Sequence, residues 1–311
     1  MTKIVTHNGK FHADESLAVA LLSKIYQPIT LIRTRDPQAI KLADIVVDVG
    51  GIYDPETHRY DHHQPSFHDT FSSLHKTRLS SAGLIYKHFG SQIIAKTHAL
   101  AENELELIYT KMYDRFVEAF DGVDNGIERF EGESKLVERY CKPYDIFDMI
   151  SDLNPHDDEL LKADEQFQKA VALVGQNFDQ ILSGIISNWL PARNLVLHAL
   201  NTTDERFLVL DTPCSWKEHL LELESQPGHV LYVVYRDGTS GSWRIQAVPV
   251  REGSFESRKA LPITWRGLRD EELSRVAEIE GCIFVHVTGF IGGHKTRQGA
   301  ISMAQKAILF K

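Results

Sequence analysis

The stretch Lys3-Ile4-Val5-Thr6-His7, with Leu17-Ala18-Val19-Ala20-Leu21-Leu22 behind it, decides the fold. Residues 3–6 are a short β-branched run of the kind that forms a strand. Leu17, Ala18, Leu21, Leu22 and Ile25 recur at helical spacing and form one apolar stripe. Residues 29–33 and the run Ile45-Val46-Val47-Asp48-Val49 repeat the strand signature. Strand, helix, strand, short helix, strand is the order of a parallel α/β sheet. Such sheets collect ligands beyond the carboxyl ends of their strands. His7 comes directly after the first strand and Asp48 lies near the end of the third, so both are expected on that edge.

Beyond this core, Tyr53-Asp54-Pro55-Glu56-Thr57 is rich in turn formers, Ser80-Ser81 is placed to cap a helix through about residue 96, and residues 102–130 carry a long helical pattern. The segment 157–190 is also helical, too apolar for a free linker, and Pro191 is expected to stop it. From Asn194 the texture changes to strand-like runs, N-L-V-L-H-A-L, R-F-L-V-L, H-V-L-Y-V-V-Y, S-W-R-I-Q-A-V-P-V and C-I-F-V-H-V, mixed with helices near 215–223, 268–279 and 295–309. A length of 311 residues is near or past what one core usually serves. Two domains are therefore expected, residues 1–190 and 191–311.

The chain is 42% apolar and 25% charged, which is globular composition and excludes disordered or low-complexity classes. Its net charge of −9 excludes a protein that coats duplex DNA through a uniformly basic surface. The charge is unevenly spread, because residues 236–311 hold 12 Lys/Arg against 8 Asp/Glu and leave residues 1–235 at −13. An acidic first domain suits a metal site and a basic second one suits phosphate. Cys141, Cys214 and Cys282 are scattered, with no C-x-x-C, so neither a disulfide framework nor a zinc-thiolate site is expected. With no apolar run approaching ~18 residues and no leader-like segment before the first strand, the reading is a cytoplasmic protein with no membrane partner.

Six of the 15 histidines, His7, His12, His58, His62, His63 and His68, fall in the first 68 residues alongside Asp14, Asp48 and Asp61. Imidazoles and carboxylates together at strand ends point to a metal site, best suited to Mn²⁺, with Mg²⁺ or Zn²⁺ as alternatives. So many donors can hold two divalent cations, the arrangement that clamps a phosphoryl oxygen and activates water.

The motifs H-N-G-K-F-H-A-D-E (7–15), V-D-V-G-G (47–51), Y-D-H-H-Q (60–64) and F-D-G-V-D-N-G (120–126), in this order, resemble those of the DHH phosphoesterase superfamily. With W-R-G-L-R-D-E-E-L (265–273) and G-F-I-G-G-H-K-T-R-Q-G-A (289–300), the chain is more closely similar to the Myg-type (melanocyte proliferating gene) exonuclease family over nearly its whole length. The resemblance implies a parallel-sheet phosphoesterase domain, then a smaller mixed α+β substrate-binding domain, and 3′→5′ exoribonuclease activity. It makes His7, His12, Asp14, Asp48 and His62 metal ligands, with Asp48 bridging two ions. Asp61 would orient His62, and His63 would face the substrate phosphate. The fourth motif leaves Asp121 and Asp124 as alternatives, since residues three apart share a helix face. The first motif departs from the superfamily's H-x-x-x-D-x-D pattern, with His12 where an Asp is common.

Gly292-Gly293-His294 resembles the glycine-rich element of the associated C-terminal domain, and is expected to present backbone N–H groups to phosphate just before a helix. His294, Lys295 and Arg297, with Arg266 and Arg269, would hold the nucleic-acid backbone. Of Trp189, Trp216, Trp243 and Trp265, the last is the best placed to stack a base and the other three suit core packing. The partner expected is single-stranded RNA or an oligonucleotide, and a homodimer is a further option. Two other readings compete. One is a hydrolase of pyrophosphate or a cyclic dinucleotide on the same site. The other is a catalytically silent RNA- or metal-binding relative, against which the intact His12, Asp14, Asp48, Asp61, His62 and His63 speak.

Overall fold

The computed structural model describes residues 1–130, 142–156, 162–203 and 205–310. Two five-stranded sheets with helices around them make the chain mixed α/β, and it divides into two units, Met1–Ile185 and Ile186–Lys311.

In the first unit β1 (Thr2–Thr6) leads into α1 (Ala13–Ile25), β2 (Ile29–Arg33), α2 (Pro37–Lys41) and β3 (Ile45–Val47), as the opening pattern predicts. The turn-rich stretch adds a short antiparallel pair, β4 (Tyr53–Asp54) and β5 (Arg59–Tyr60), joined by a 3-10 turn at Pro55–Thr57. Strand order is β2-β1-β3-β5-β4, parallel except for the β4 edge. Leu17, Ala18, Leu21 and Leu22 are each fully buried at 0% exposure. Burying a Leu side chain is worth about 1.5–3 kcal/mol, so this stripe fixes α1 on its neighbours. The first of those neighbours is α3 (Ser81–Thr97), with Ser80 at its N-cap.

The helical pattern of 102–130 resolves into α4 (Glu102–Met112), a π-helical turn at Tyr113–Val117 and α5 (Glu118–Asp124). It ends six residues early, at the turn containing Gly126 with φ 64°. After α6 (Ile146–Asp152), α7 (Ala163–Gly184) also packs on α1, burying Phe167, Val174 and Phe178. Phe167 meets Phe11 at 5.4 Å between ring centroids. The expected start of this helix near 157, with Leu160 and Leu161, lies outside the described residues, as does Cys141.

Pro191 does not stop the helix. A π-helical turn at Ile185–Trp189 is followed by α8 (Leu190–Asn201), with Pro191 in its first turn, where a missing N–H costs nothing. The strand expected at N-L-V-L-H-A-L is therefore helix: Ala192, Val196 and Ala199 are buried at helical spacing, while Leu197 is 42% exposed.

Most of the rest of the second unit agrees with its predicted pattern: β6 (Phe207–Leu210), α9 (Trp216–Leu223), β7 (Tyr232–Arg236), β8 (Trp243–Ala247), α10 (Asp270–Ala277), β9 (Cys282–Val285) and α11 (Arg297–Leu309), while β10 (Ile291–His294) is a strand that the pattern does not predict. Strand order is β6-β7-β8-β10-β9, with only β6 and β7 parallel. Ala300, Ala304 and Ala307 of α11 are buried with Met303 in the core that also holds Val234, Ile245 and Trp265. No helix among the described residues is long and apolar enough to cross a membrane.

Candidate metal centre

Strands β1, β3 and β5 lie side by side and parallel, so the residues just past their carboxyl ends emerge on one edge: His7 after β1, Asp48 after β3, and Asp61, His62 and His63 after β5. The Asp48 backbone N–H donates to the Tyr60 carbonyl at 3.0 Å and ties two of these strand ends together. The chain then turns through positive φ at Asp48 (58°), Gly50 (98°) and Gly51 (68°). A non-glycine residue in this region carries about 1 kcal/mol or more of strain, which persists where surrounding structure demands it. The start of α1 supplies His12 at its N-cap and Asp14 and Glu15 in its first turn, and the last residue of α5 supplies Asp124.

His7 Nε2 lies 3.0 Å from Glu15 Oε1 and 3.3 Å from Asp48 Oδ2, while its Nδ1–H donates to the Asn8 carbonyl at 3.1 Å. A backbone bond at Nδ1 is the arrangement that leaves Nε2 to ligate a cation. His62 Nε2 is 2.8 Å from Asp124 Oδ2, and its Nδ1 is 3.5 Å from Asp48 Oδ1. At this edge three groups have ligand atoms within 4.8 Å of one another: His7, His12, Glu15 and Asp48; Asp48, Asp61, His62 and His63; His12, Asp14 and Asp124. Asp48 belongs to two of them, as a bridging carboxylate would.

Burial makes this cluster electrostatically incomplete. Asp14, Glu15 and Asp48 are each no more than 4% exposed. Burial, then repulsion from Asp48, Asp124 and Glu15, pushes the Asp14 carboxyl well above its usual range, although the Ser81 hydroxyl donates to it at 2.7 Å. Asp48 is also pushed up by burial, against the pull of His7. Burial opposes charge on His7, yet Asp48 and Glu15 outweigh it and raise the ring to about 10. Burial opposes charge on His62 as well, but its Asp124 hydrogen bond together with the charges of Asp48, Asp124 and Asp61 raises it, and burial of Asp124 is outweighed by His62, His12 and Asp14 together, which hold that carboxyl below the ordinary carboxylate range. Asp14 Oδ1, Asp48 Oδ1 and His62 Nδ1 are buried without a hydrogen-bond partner. Buried polar atoms are almost always satisfied. Orphaned oxygen and nitrogen donors within a group of carboxylates and imidazoles fit a divalent cation, which satisfies them and neutralises the charge.

Two assignments change. Asp61 orients His63 rather than His62: its Oδ1 lies 2.7 Å from His63 Nδ1 and 3.1 Å from the His63 backbone N–H, and its Oδ2 accepts from the Gly51 N–H at 2.6 Å. Asp121 is not with the ligands. It accepts from the Ser80 N–H (2.8 Å), the Ser80 hydroxyl (2.7 Å), the Gly83 N–H (3.0 Å) and the Tyr113 hydroxyl (2.7 Å), so it is a buried cap for α3. Asp124 is the member of the pair that reaches the cluster.

Glu15 is a member of the cluster that the motifs alone do not single out. Its signal is the capping-box position three residues after His12, whose backbone N–H donates to it at 2.9 Å. Ser81, Arg35 and Arg78 are further additions. Arg35 and Arg78 line a cavity of about 1020 Å³ together with His7, His12, Asp48, Asp61, His62, His63 and Asp124. Arg78 is steadied by Asn125, whose Oδ1 accepts from its Nε at 2.6 Å.

The second unit differs from expectation at its glycines. Gly292 and Gly293 lie inside β10, paired with β8 on one side and β9 on the other, so their backbone groups serve the sheet and not a helix N-terminus. They are glycines because a Cβ at 293 would come within 2.8 Å of the Phe284 ring. His294 is 2% exposed: its Nε2 meets the Glu280 carbonyl at 2.9 Å and its Nδ1 accepts from the Thr296 N–H at 2.9 Å, leaving nothing for a phosphate. Trp265 is 3% exposed in the core and cannot stack a base, whereas Trp243 is partly exposed with Arg297 5.8 Å from its ring. Arg297 also pairs with Asp211 at 2.8 Å, and Arg266 Nε donates to the Leu261 carbonyl at 2.9 Å. Lys295 and Arg269 are exposed, the latter over Phe284 at 5.7 Å.

A profile of the uncharacterised protein family UPF0160, MYG1_exonuc, matches residues 3–308. The chain is 47% identical to the human (Homo sapiens) MYG1 exonuclease over 98% of its own length and 85% of that protein. It is 43% identical to the MYG1 protein of Dictyostelium discoideum, over 98% of this chain and 96% of that one. For the MYG1 protein of Saccharomyces cerevisiae the identity is 39%, over 98% and 95%.

Proposed function

The chain belongs to the MYG1 family, and from that membership we propose that it is a divalent-metal-dependent phosphodiesterase, a 3′→5′ exoribonuclease acting on single-stranded RNA or short oligonucleotides. Relatives named MYG1 exonuclease support an exonuclease-type function. The observation that carries the metal dependence is the set of orphaned buried atoms on Asp14, Asp48 and His62. His7, His12, Asp14, Glu15, Asp48, His62 and Asp124 would hold two cations, Mn²⁺ best matching the mixed donors. Such ions, when bound, lower the pKa of water and neutralise phosphoryl oxygens.

The protein's own groups do the rest. Asp48, set by its left-handed backbone, is the one carboxylate shared by two of the three groups. Asp61 fixes the His63 ring through Nδ1, and the His63 side chain is 63% exposed, so Nε2 remains to hydrogen-bond a phosphoryl oxygen. Arg78, held through Nε, has the rest of its guanidinium to offer the same negative charge.

The test is end-labelled single-stranded RNA and DNA with Mn²⁺, and pyrophosphate in parallel. The expected result is a ladder of products from RNA labelled at its 5′ end, abolished by chelation. Release of phosphate from pyrophosphate with no attack on either strand would make the protein a small-molecule hydrolase instead.

A further inference from the structure

The cavity at the metal cluster is larger than a phosphate between two ions requires. At about 1020 Å³ it lies at the top of the roughly 300–1,000 Å³ range of small-molecule sites. Its ligand-bearing wall is acidic and buried. Part of its remaining lining comes from Arg35 just before α2, from α2 itself and from the turn after β3, and has a different chemistry: Arg35, Pro37, Ile40, Lys41 and Ile52.

The cations of this wall are not consumed by neighbouring acids. Asp36 is occupied in capping α2, accepting from the Gln38 and Ala39 N–H groups, and Asp44 accepts from the Lys3 N–H at 2.7 Å. Lys41 is exposed with no charged partner among the described residues, and Arg35 bonds only to the Asn8 carbonyl and side-chain oxygen, neither of them charged. The same lining includes an apolar surface from Pro37, Ile40 and Ile52, with Ile52 54% exposed. Unpaired cations flanking a small apolar surface match one chemical unit, a phosphate attached to a flat, largely apolar ring system.

We propose that the α2 wall is a nucleotide subsite, in which Lys41 and Arg35 hold a phosphate and Pro37, Ile40 and Ile52 carry the adjoining base. It rests on the phosphodiesterase reading and specifies the substrate: a chain of at least two nucleotides, one at the cluster and one on this wall. Recognition through apolar contact and backbone charge makes the subsite tolerant of base identity.

The full-length protein, supplied with Mn²⁺, is assayed on a dinucleotide and on bis(p-nitrophenyl) phosphate, a diester without a nucleoside. The readout is the ratio of the two kcat/KM values. In Lys41→Gln and in Ile52→Ala the ratio falls about tenfold, the effect of losing about 1.4 kcal/mol of nucleotide binding. Both residues are exposed, so neither change threatens folding, and calorimetric binding of adenosine monophosphate weakens in parallel. A ratio and a mononucleotide affinity equal to wild type in both variants would overturn the subsite. Failure of the wild-type protein to cleave either diester would instead overturn the phosphodiesterase reading beneath it.

Discussion

Asp61 Oδ1 lies 2.7 Å from His63 Nδ1 and 3.1 Å from the His63 backbone N–H, so a single carboxylate oxygen fixes both a ring and the chain that bears it. In the proposed reaction His63, held in this way, would face a phosphoryl oxygen. His63→Ala is expected to lower kcat roughly 10²- to 10³-fold, the scale of losing one preorganised donor, while metal content by elemental analysis stays at the wild-type value. Loss of metal along with activity would make His63 a ligand.

Glu15 takes the opposite role. Its carboxylate faces His7 at 3.0 Å, so Glu15→Gln should reduce bound metal even though the amide oxygen can still accept from the His12 N–H. The measurement is metal stoichiometry after dialysis. Retention of the full complement would confine Glu15 to capping α1.

Removing metal should also cost stability. A ligand bound only by the folded state at 1,000 times its Kd adds about 4 kcal/mol. Chelation is therefore expected to lower Tm by several degrees in wild type, and much less in Asp48→Asn, where the shared carboxylate is gone. Equal Tm with and without chelator in the wild type would contradict the cation-filled cluster.

Asp121 and Asp124, three residues apart, should separate in experiment. Asp124→Ala empties the metal site, whereas Asp121→Ala strands four donors and should destabilise by about 3 kcal/mol or more. Asp121 also titrates. Burial pushes it up to about 6 against the pull of its donors. A carboxyl raised on folding contributes stability that is fully present below its unfolded pKa near 4 and is lost as pH rises through 6. The difference in unfolding free energy between wild type and Asp121→Asn should shift over pH 4 to 6 by about 1.4 kcal/mol per unit of pKa displacement. A pH-independent difference would show that Asp121 has an ordinary pKa.

His294 is expected to act on folding. With both ring nitrogens bonded to backbone, His294→Ala should lower stability by about 2 kcal/mol in denaturant titrations. A variant of unchanged stability with weakened RNA binding would restore the phosphate-holding role.

The first sheet is legible in the sequence because its strands are β-branched runs with strong turn signals between them, and the edge carrying His7 and Asp48 comes from the strand order. The second unit is harder. N-L-V-L-H-A-L reads as a strand because a short apolar run has no resolvable period, and only burial of Val196 and Ala199 shows the helix. Two adjacent glycines suggest a turn, yet at 292 and 293 they answer to Phe284 across the sheet, a neighbour no local pattern reveals. Asp121 and Asp124 cannot be separated by spacing, since what separates them is Ser80 and Gly83, some forty residues away in the chain. Glu15 is hidden because a capping residue and a ligand look alike in sequence.

The φ of 58° at Asp48 limits how this position can be altered. Aspartate and asparagine enter the left-handed region more readily than other non-glycine residues, and β-branched ones almost never do. Alanine at 48 would therefore combine loss of charge with backbone strain, and valine would add a steric conflict. Asparagine alone removes the charge while keeping both shape and backbone. The space of sequences open to this strand end is accordingly narrow, and loss of activity by drift at residue 48 should pass through Asn or Gly before any other residue.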